Sequence, residues 1–212
     1  MSNIIIFING HINSGKDAAA THLSHTHSFS QYAFGDKIRE GLYALDPAVV
    51  LPSINHLRLT RSLRSLVDDN GWDYCKRNIP EVRRLLQAYG TEAGKDIHGE
   101  NTWSSLVFEQ IIKEWEFGKE VKTVISDFRF APEFEYFQDW VSFDWNLIIL
   151  HITKPGVTNT ETHISESLDV CAIFPEHVIE LVNDGSIEEL HLKIDELMTN
   201  LGVRLKESKS DK

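Results

Sequence analysis

The segment best suited to chemistry near the start of the chain is Gly10-His-Ile-Asn-Ser-Gly15-Lys16-Asp17. It matches the pattern G-x-x-x-x-G-K and lies between an apolar run and a helical pattern, which is the context that this motif needs. Backbone N–H groups in such a turn point inward, and the positive end of the following helix favours an anion there. Because Lys16 adds a positive charge, the segment predicts a phosphate-binding loop.

The position after the lysine departs from the general form of this motif, which has Ser or Thr where this chain has Asp17. A carboxylate beside several phosphates is repelled unless a cation lies between them. We therefore expect Asp17 to face Mg²⁺, directly or through water, or to orient the acceptor. The alternative is that Asp17 only places a negative charge at the start of a helix.

A second group of polar residues follows a basic stretch. Seven of the 21 lysines and arginines lie between Arg58 and Arg84, which indicates a local anion site in an acidic chain. Arg84 and Gln87 are three residues apart, so both can project from one helical face, and the helix is expected to end at Gly90. Farther upstream, a solvated stripe on one helical face is expected from Arg58, Arg61 and Arg64.

A third group follows the apolar run that ends at Ile125. Asp127 and Arg129 come just after this run, and the carboxyl edge of a parallel sheet is where ligands bind in α/β folds. Glu133 lies four residues after Arg129, so the two side chains are expected to pair. The alternative is an ion pair that only supports the start of a helix.

Three histidines, His22, His25 and His27, lie close together at the end of the first predicted helix. No carboxylate or thiolate at a familiar spacing completes a ligand set with them. The sequence therefore predicts no metal site there.

The elements that must position these residues alternate between strands and helices. Short, nearly continuous apolar runs predict parallel strands buried on both faces. These runs are Ile4–Ile8, Val121–Ile125 and Leu147–Ile152, with a shorter and more mixed one at His177–Val182. Apolar spacing of three and four predicts helices at Asp17–His25, Arg58–Asp69, Ile79–Ala88, Ser104–Glu116 and Ile187–Leu201, the last with Ser186 as N-cap. This order predicts an α/β fold with a central parallel sheet flanked by helices.

Composition limits the classes of protein that remain. The chain has 212 residues and a formal net charge of −11, which argues against general binding to nucleic acid or anionic membranes. Two cysteines cannot form a disulfide framework and fit a reducing compartment. The chain has no 18-residue apolar run that could span a membrane. Its first apolar run is not preceded by basic residues, as a signal peptide would be, so we expect a cytoplasmic protein. The sequence leaves the oligomeric state open, a homodimer included.

Four segments, taken in order, resemble the deoxynucleoside monophosphate kinases of large-tailed bacteriophages. They are the apolar run with its SGKD loop, the R-x-x-Q-x-x-G-T-E block followed by Trp103, the S-D-x-R-F-x-x-E block, and the late pair of segments 162–166 and 182–186. Asp17 belongs to the pattern of this family. The resemblance implies ATP-dependent transfer of a phosphoryl group to a deoxynucleoside 5′-monophosphate in a P-loop kinase fold, with Mg²⁺, and a host-cytoplasm location if the source is a phage.

The resemblance also implies a role for each matching residue. ATP phosphates and Mg²⁺ would be held by Gly10, Asn13, Ser14, Gly15, Lys16 and Asp17, and the donor adenine would lie near Asn183 and Asp184. The acceptor nucleotide would be bound by Arg83, Arg84, Gln87, Gly90, Thr91 and Trp103. Asp127, with Asp17, would hold the metal, while Arg129 and Glu133 would help to organise the acceptor and the phosphoryl group in transfer.

The implied layout is a single kinase domain. Its core would comprise about 1–34, 119–152 and 173–205, with an acceptor-binding helical lobe at about 35–118 and a short lid at about 153–172. Two alternatives stay open. One is a P-loop kinase for another small acceptor, such as phosphomevalonate or dephospho-coenzyme A. The other is a module that binds nucleotide without turning it over.

Overall fold

A computed structural model describes residues 3–51, 59–116, 120–141, 145–157 and 170–202. The chain divides into two compact units, residues 1–33 with 107–212 and residues 34–106. The predicted helical lobe extended to 118, whereas residues 107–116 group with the first unit. Most of the predicted lid, like the 162–166 segment of the resemblance, lies outside the described residues. Within the described part of the chain, no helix has the length and apolar character needed to cross a bilayer.

The first unit contains a five-stranded parallel sheet. Its strands are β1 (Asn3–Asn9), β2 (Ser30–Tyr32), β5 (Lys122–Ile125), β6 (Trp145–Thr153) and β7 (Val178–Val182), and their order in the sheet is β2-β5-β1-β6-β7. Its helices are α1 (Lys16–His27), α8 (Ala131–Trp140), α9 (Val170–Ile173) and α10 (Ile187–Asn200), with a 3₁₀ turn at Pro175–His177. The four predicted strands and the α/β class are confirmed. The edge strand β2 was not predicted, because three largely exposed residues carry no apolar pattern.

Alternating residues of the central strand β1 pack against different helices. Ile4, Ile6 and Ile8 join a buried cluster that includes residues of α1 and α10. On the other face, the ring of Phe7 makes edge-to-face contacts with three phenylalanines, Phe128, Phe134 and Phe137. Both faces of the strand are therefore covered, which is why its sequence reads as a continuous apolar run.

The second unit is mostly helical. It contains α2 (Phe34–Leu45), α3 (Leu63–Asn70), α4 (Trp72–Asn78), α5 (Pro80–Gly90), a π-helical turn (Thr91–Lys95), α6 (Asp96–His98) and the antiparallel pair β3 (Ala48–Val50) and β4 (Thr60–Ser62). Helix α7 (Thr102–Glu116) runs across the division between the units. Leu42, Val49 and Leu63 belong to the core of this unit.

The prediction of a helix over Arg58–Asp69 is wrong at its start. Residues 60–62 form β4, and the helix begins only at Leu63, where the Ser62 hydroxyl accepts the Ser65 N–H. The expected arginine stripe is therefore not formed by one helix. Arg61 lies on the strand and pairs with Asp69, while Arg64 lies on α3 and donates to the backbone carbonyl of Tyr43. Arg58 lies outside the described residues.

The start of α10 is fixed by a reciprocal pair of hydrogen bonds. The Ser186 hydroxyl accepts the Glu189 N–H at 3.2 Å, and the Glu189 carboxylate accepts the Ser186 N–H at 2.7 Å. This capping box satisfies two N–H groups that the helix cannot bond internally. The predicted N-cap is confirmed, and it places Leu190 and Ile194 in the core.

Ser186→Ala is expected to lower the free energy of unfolding by about 1 kcal/mol, because the Glu189 N–H loses its partner. Urea denaturation followed by circular dichroism measures the change. Ser186→Thr is the control, since it keeps a hydroxyl at the N-cap and should lose much less. Equal stability of Ser186→Ala and the parent chain would contradict the capping role.

Candidate functional site

The predicted phosphate loop occupies the turn between the central strand and α1. Three of its residues have positive φ angles, Gly10 at 142°, Asn13 at 65° and Gly15 at 107°. A Cβ at position 10 would clash with the carbonyl oxygen of Ile152 on the neighbouring strand β6. A glycine is therefore required at that point, both for its backbone conformation and for its closeness to β6.

Lys16 is the first residue of α1, and its side chain folds back across the loop. Its Nζ atom donates to the backbone carbonyls of Gly10 at 2.6 Å and His11 at 2.5 Å. The ammonium group therefore lies above the turn whose N–H groups would face a phosphate. The next residue, Asp17, is exposed in the first turn of the helix.

Asn183 supports the loop from the end of β7. It is 6% exposed, and its Nδ2 atom donates to the backbone carbonyl of Ser14 at 2.8 Å. A Cβ at Gly15 would approach this same amide to 2.7 Å. The Asn183 side chain thus donates to the protein backbone of the loop. A role near the donor adenine stays a prediction for this residue.

Ser14 is fully buried within the loop. Its Oγ atom has no hydrogen-bond partner among the described residues. A buried hydroxyl without a partner is uncommon in proteins, and it marks a polar position that a ligand could satisfy. The adjacent backbone is held in place by Asn183, so this hydroxyl belongs to a fixed part of the loop.

Asp184 lies next to Asn183 but is exposed. Lys193 donates to its carboxylate at 2.5 Å, and this hydrogen bond is the main reason why the pKa of Asp184 falls below its usual value. The pair is at the surface and adds little to stability. A contact between Asp184 and ATP stays a prediction.

Asp127 follows β5 at the same edge of the sheet as the phosphate loop. In the register of the sheet, the last residue of β5, Ile125, pairs with Phe7 of β1, and β1 itself ends two residues later at Asn9. The Asn9 amide donates to the carbonyl of Phe128 at 3.2 Å and ties these two exits together. The sequence prediction that Asp127 lies at the ligand edge is consistent with this register.

Glu133 caps the helix that follows this exit. The residue is buried, and one carboxylate oxygen accepts the backbone N–H groups of Arg129 and Phe130, each at 3.1 Å. The contact that links Glu133 to Arg129 thus involves the arginine's backbone, where the sequence suggested a pair of side chains. The Arg129 side chain is exposed at the start of α8.

Sequence reasoning missed a polar contact across the central strands. His151 of β6 contacts the Asn9 side chain, with 2.9 Å between Nδ1 and Oδ1. Asn9 in turn donates to Phe128, so one side chain links the ends of three neighbouring strands. The available signal was a polar residue at the carboxyl end of two otherwise apolar strands.

The arginine block lies in the second unit, on α5. Arg83, Arg84 and Gln87 are all exposed on this helix. Arg84 makes two hydrogen bonds to the Glu81 carboxylate, at 2.7 and 2.8 Å, and these bonds lower the pKa of Glu81. The Arg84 guanidinium is therefore held on the helix surface by Glu81, which lies one turn earlier.

Helix α5 ends at Gly90, as predicted. Gly90 nevertheless keeps an ordinary helical φ of −70°, and the chain continues directly into the π-helical turn that begins at exposed Thr91. Trp103 is buried and donates from its indole N–H to the Gly90 carbonyl at 2.7 Å. A Cβ at Gly94 would come within 2.5 Å of the Trp103 ring. Trp103 therefore fixes the path of the backbone at residues 90–94, and contact with a nucleotide base stays a prediction.

Comparison with solved structures finds distant similarity. A sugar kinase from Janibacter has 13% sequence identity and a TM-score of 0.45, with 96% of both chains covered. A dephospho-CoA kinase from Campylobacter jejuni has 12% identity and a TM-score of 0.46, with 95% of this chain and 98% of the other covered. At these values the similarity carries no information about the substrate.

Sequence relatives are more informative. A putative deoxynucleotide monophosphate kinase of Acanthamoeba polyphaga mimivirus is 26% identical over 205 residues, which cover 93% of this chain and 97% of the relative. A deoxynucleotide monophosphate kinase of Escherichia phage RB69 is 26% identical over 122 residues, covering 55% of this chain and 44% of that protein. The sequence profile of the deoxynucleotide monophosphate kinase family matches residues 59–194, a span that holds the arginine block and the exit of β5. Because this match extends over more than half of the chain, the protein belongs to the deoxynucleotide monophosphate kinase family.

Proposed function

We propose that the protein transfers the γ-phosphoryl group of ATP to a deoxynucleoside 5′-monophosphate, giving the diphosphate and ADP. The observation that carries the proposal is the glycine loop at the carboxyl end of β1, with Lys16 as the first residue of α1, in a chain of this family. A loop of this geometry suits the phosphates of a nucleotide, because successive N–H groups and the helix dipole favour negative charge.

The donor phosphates would be bound by the loop residues Gly10, Asn13, Ser14, Gly15 and Lys16. The buried Ser14 hydroxyl without a partner among the described residues supports this fit, since a phosphate oxygen could accept a hydrogen bond from it. The ammonium group of Lys16 would exchange one of its two carbonyl partners for a phosphate oxygen, which binds a cation more strongly.

Mg²⁺ would be held by Asp17 and Asp127, whose carboxylate oxygens are the ligands that this ion prefers. Asp17 is exposed beside the loop, and Asp127 is half-buried at the end of β5. When bound, the ion would neutralise charge on the transferring phosphoryl group. Arg129, exposed at the start of α8, would stabilise the same charge with its guanidinium.

The acceptor would be bound by the exposed face of α5 and the turn after it. Arg83 and Arg84 would bind its phosphate, while Gln87 and Thr91 would contact the nucleoside. A phosphate must compete with Glu81 for Arg84, and such exchange is feasible because this ion pair is exposed. Buried Trp103 would support this acceptor site indirectly, by holding the Gly90 carbonyl and the backbone around Gly94 in place.

Phosphoryl transfer forms a bond between an oxygen of the acceptor phosphate and the γ-phosphorus of ATP. The bond from that phosphorus to its bridging oxygen breaks, and the electron pair leaves with ADP. No covalent intermediate with the protein is needed, because positioning and charge neutralisation supply the acceleration. Lysine, arginines and carboxylates that bind a cation are therefore a sufficient set of groups.

Lys16→Ala is expected to reduce turnover by about 100-fold or more, since one charged group that acts on the transferring phosphates is lost. ADP formation would be measured with ATP and Mg²⁺ and each of the four deoxynucleoside monophosphates, with ribonucleotides, phosphomevalonate and dephospho-coenzyme A in parallel. Lys113→Ala on α7 is the control and should be fully active. Unchanged turnover in Lys16→Ala would overturn the loop assignment. Turnover only with a non-nucleotide acceptor would overturn the substrate class.

Arg84→Ala is expected to raise the KM for the deoxynucleotide by about 10- to 100-fold, the equivalent of one lost charge-assisted hydrogen bond pair. The KM for ATP should change little. Steady-state kinetics with each substrate varied in turn separates the two constants. Arg77→Ala, an exposed arginine of α4, is the matched control. A rise in the KM for ATP alone would contradict an acceptor role.

Asn183→Asp is expected to raise the KM for ATP by about tenfold, because a carboxylate oxygen would face the Ser14 carbonyl where an amide now donates. The free energy of unfolding should also fall, by about 1–3 kcal/mol. Asn146→Asp makes the same charge change at an exposed position of β6 and should alter neither value. An unchanged KM for ATP would show that this contact does not position the loop.

A further inference from the structure

A histidine-rich cluster lies at the contact between α1 and α10, within the first unit. His22 and His27 of α1 each place Nε2 at 2.7 Å from the same carboxylate oxygen of Asp195 on α10. Of these three residues, His27 is fully buried, whereas the other two are partly exposed. Among the described residues, this is a group whose donor atoms are close enough together to share one metal ion.

The donor atoms suit a transition metal. Two imidazole nitrogens and one carboxylate oxygen form a set typical of Zn²⁺ in proteins, and imidazole favours Zn²⁺ over Mg²⁺. Ligands at tetrahedral Zn²⁺ lie roughly 3.3 Å from one another, given bond lengths of about 2.0 Å. The atoms around Asp195 Oδ1 are now at hydrogen-bond distance, so each would need to move by about half an ångström. The partial exposure of Asp195 leaves room for this shift.

Both histidines can release Nε2 for a metal without losing another hydrogen bond. Nδ1 of His27 has no hydrogen-bond partner among the described residues, so the ring proton can move from Nε2 to Nδ1 without breaking a hydrogen bond at Nδ1. Nδ1 of His22 lies 3.3 Å from the Thr26 hydroxyl, and a hydroxyl can accept as well as donate. A metal-ligating histidine usually donates from its other nitrogen, which fixes its orientation, and Thr26 offers this support to His22 alone.

An open groove beside the cluster could admit the ion and a further ligand. Its volume is about 490 Å³, and its lining includes Thr21, His22, His25 and His191. The His191 ring stacks on that of His22, with 4.0 Å between ring centroids and 8° between ring planes. This stacking restricts rotation of His22, so one ligand is already oriented.

We propose that His22, His27 and Asp195 form a binding site for Zn²⁺, with a fourth position open to water or a small ligand in the groove. The site ties α1 to α10. Since α1 begins at Lys16, the ion would also stabilise the helix that follows the phosphate loop. A ligand that binds only the folded chain raises its stability in proportion to the logarithm of its concentration.

The full chain is first treated with a chelator, which is then removed. Zn²⁺ is titrated into the chain and its binding is measured by calorimetry, while thermal melting is measured in parallel. We expect one equivalent of Zn²⁺ to bind and to raise the melting temperature, in the presence of excess Mg²⁺. Asp195→Asn and His22→Gln should each weaken binding by at least about tenfold and remove the thermal shift. Asp195→Asn keeps an oxygen that can accept from the histidines, so its fold without metal should be preserved.

His25→Gln is the matched control, because it makes the same substitution on the same helix at an exposed residue outside the cluster. It should bind Zn²⁺ as the parent chain does. Zn²⁺ binding of equal strength in Asp195→Asn would overturn the proposal, as would the absence of saturable binding at one equivalent. Equal weakening in His25→Gln would show that the groove histidines hold the ion by another arrangement. None of these outcomes depends on kinase activity.

Discussion

A side chain at position 10 would run into the Ile152 carbonyl, and one at position 15 would press on the amide of Asn183. The turn after β1 is therefore enclosed by the ends of β6 and β7, and only glycine allows the chain to pass. The same closeness lets Asn183 donate to Ser14. The neighbouring strands thus fix the loop in the absence of a ligand, which would reduce the entropy cost of the proposed phosphate binding.

Charge in this protein is arranged locally against an unfavourable total. The net charge of −11 repels anions at long range, so a phosphate must be bound by groups in direct contact. For the proposed reaction, the first unit would supply the Lys16 ammonium and the N-terminus of α1 to one nucleotide, and the second unit would supply the exposed arginines of α5 to the other. Arg84 is held by Glu81 and Lys16 by two carbonyls, partners that keep each cation oriented and that a phosphate can replace.

The sequence was sufficient to predict elements whose signal is local. It was insufficient for elements whose conformation depends on packing or pairing with distant residues. Continuous apolar runs predicted four of the five strands of the sheet, because burial on both faces leaves a plain mark in the sequence. The short strand β2 is held by pairing with β5 and leaves no such mark. The strand that replaces the start of the predicted 58–69 helix has the same cause, since pairing of β4 with β3 decides its conformation.

The candidate site shows the same difference between local and long-range signals. The glycine loop was recognisable from its spacing alone, whereas the contact of Asn183 with Ser14 joins residues 169 positions apart. At Gly90 the predicted end of α5 holds, but the left-handed conformation in which a glycine usually ends a helix is absent. This glycine packs closely instead, since a Cβ at this position would lie 2.9 Å from the Cδ1 atom of Ile38.

The two ends of α1 present different chemistry to cations. At its start, Asp17 offers carboxylate oxygen beside the phosphate loop, a ligand for a hard ion such as Mg²⁺. Near its end, His22 and His27 offer imidazole nitrogens, which such an ion binds poorly. The missing carboxylate, Asp195, comes from α10, 168 residues after His27, so the spacing of the histidines gave no sign of it. One helix would therefore carry ligands for two kinds of cation, carboxylate oxygen for a hard ion at its start and imidazole nitrogen for Zn²⁺ near its end.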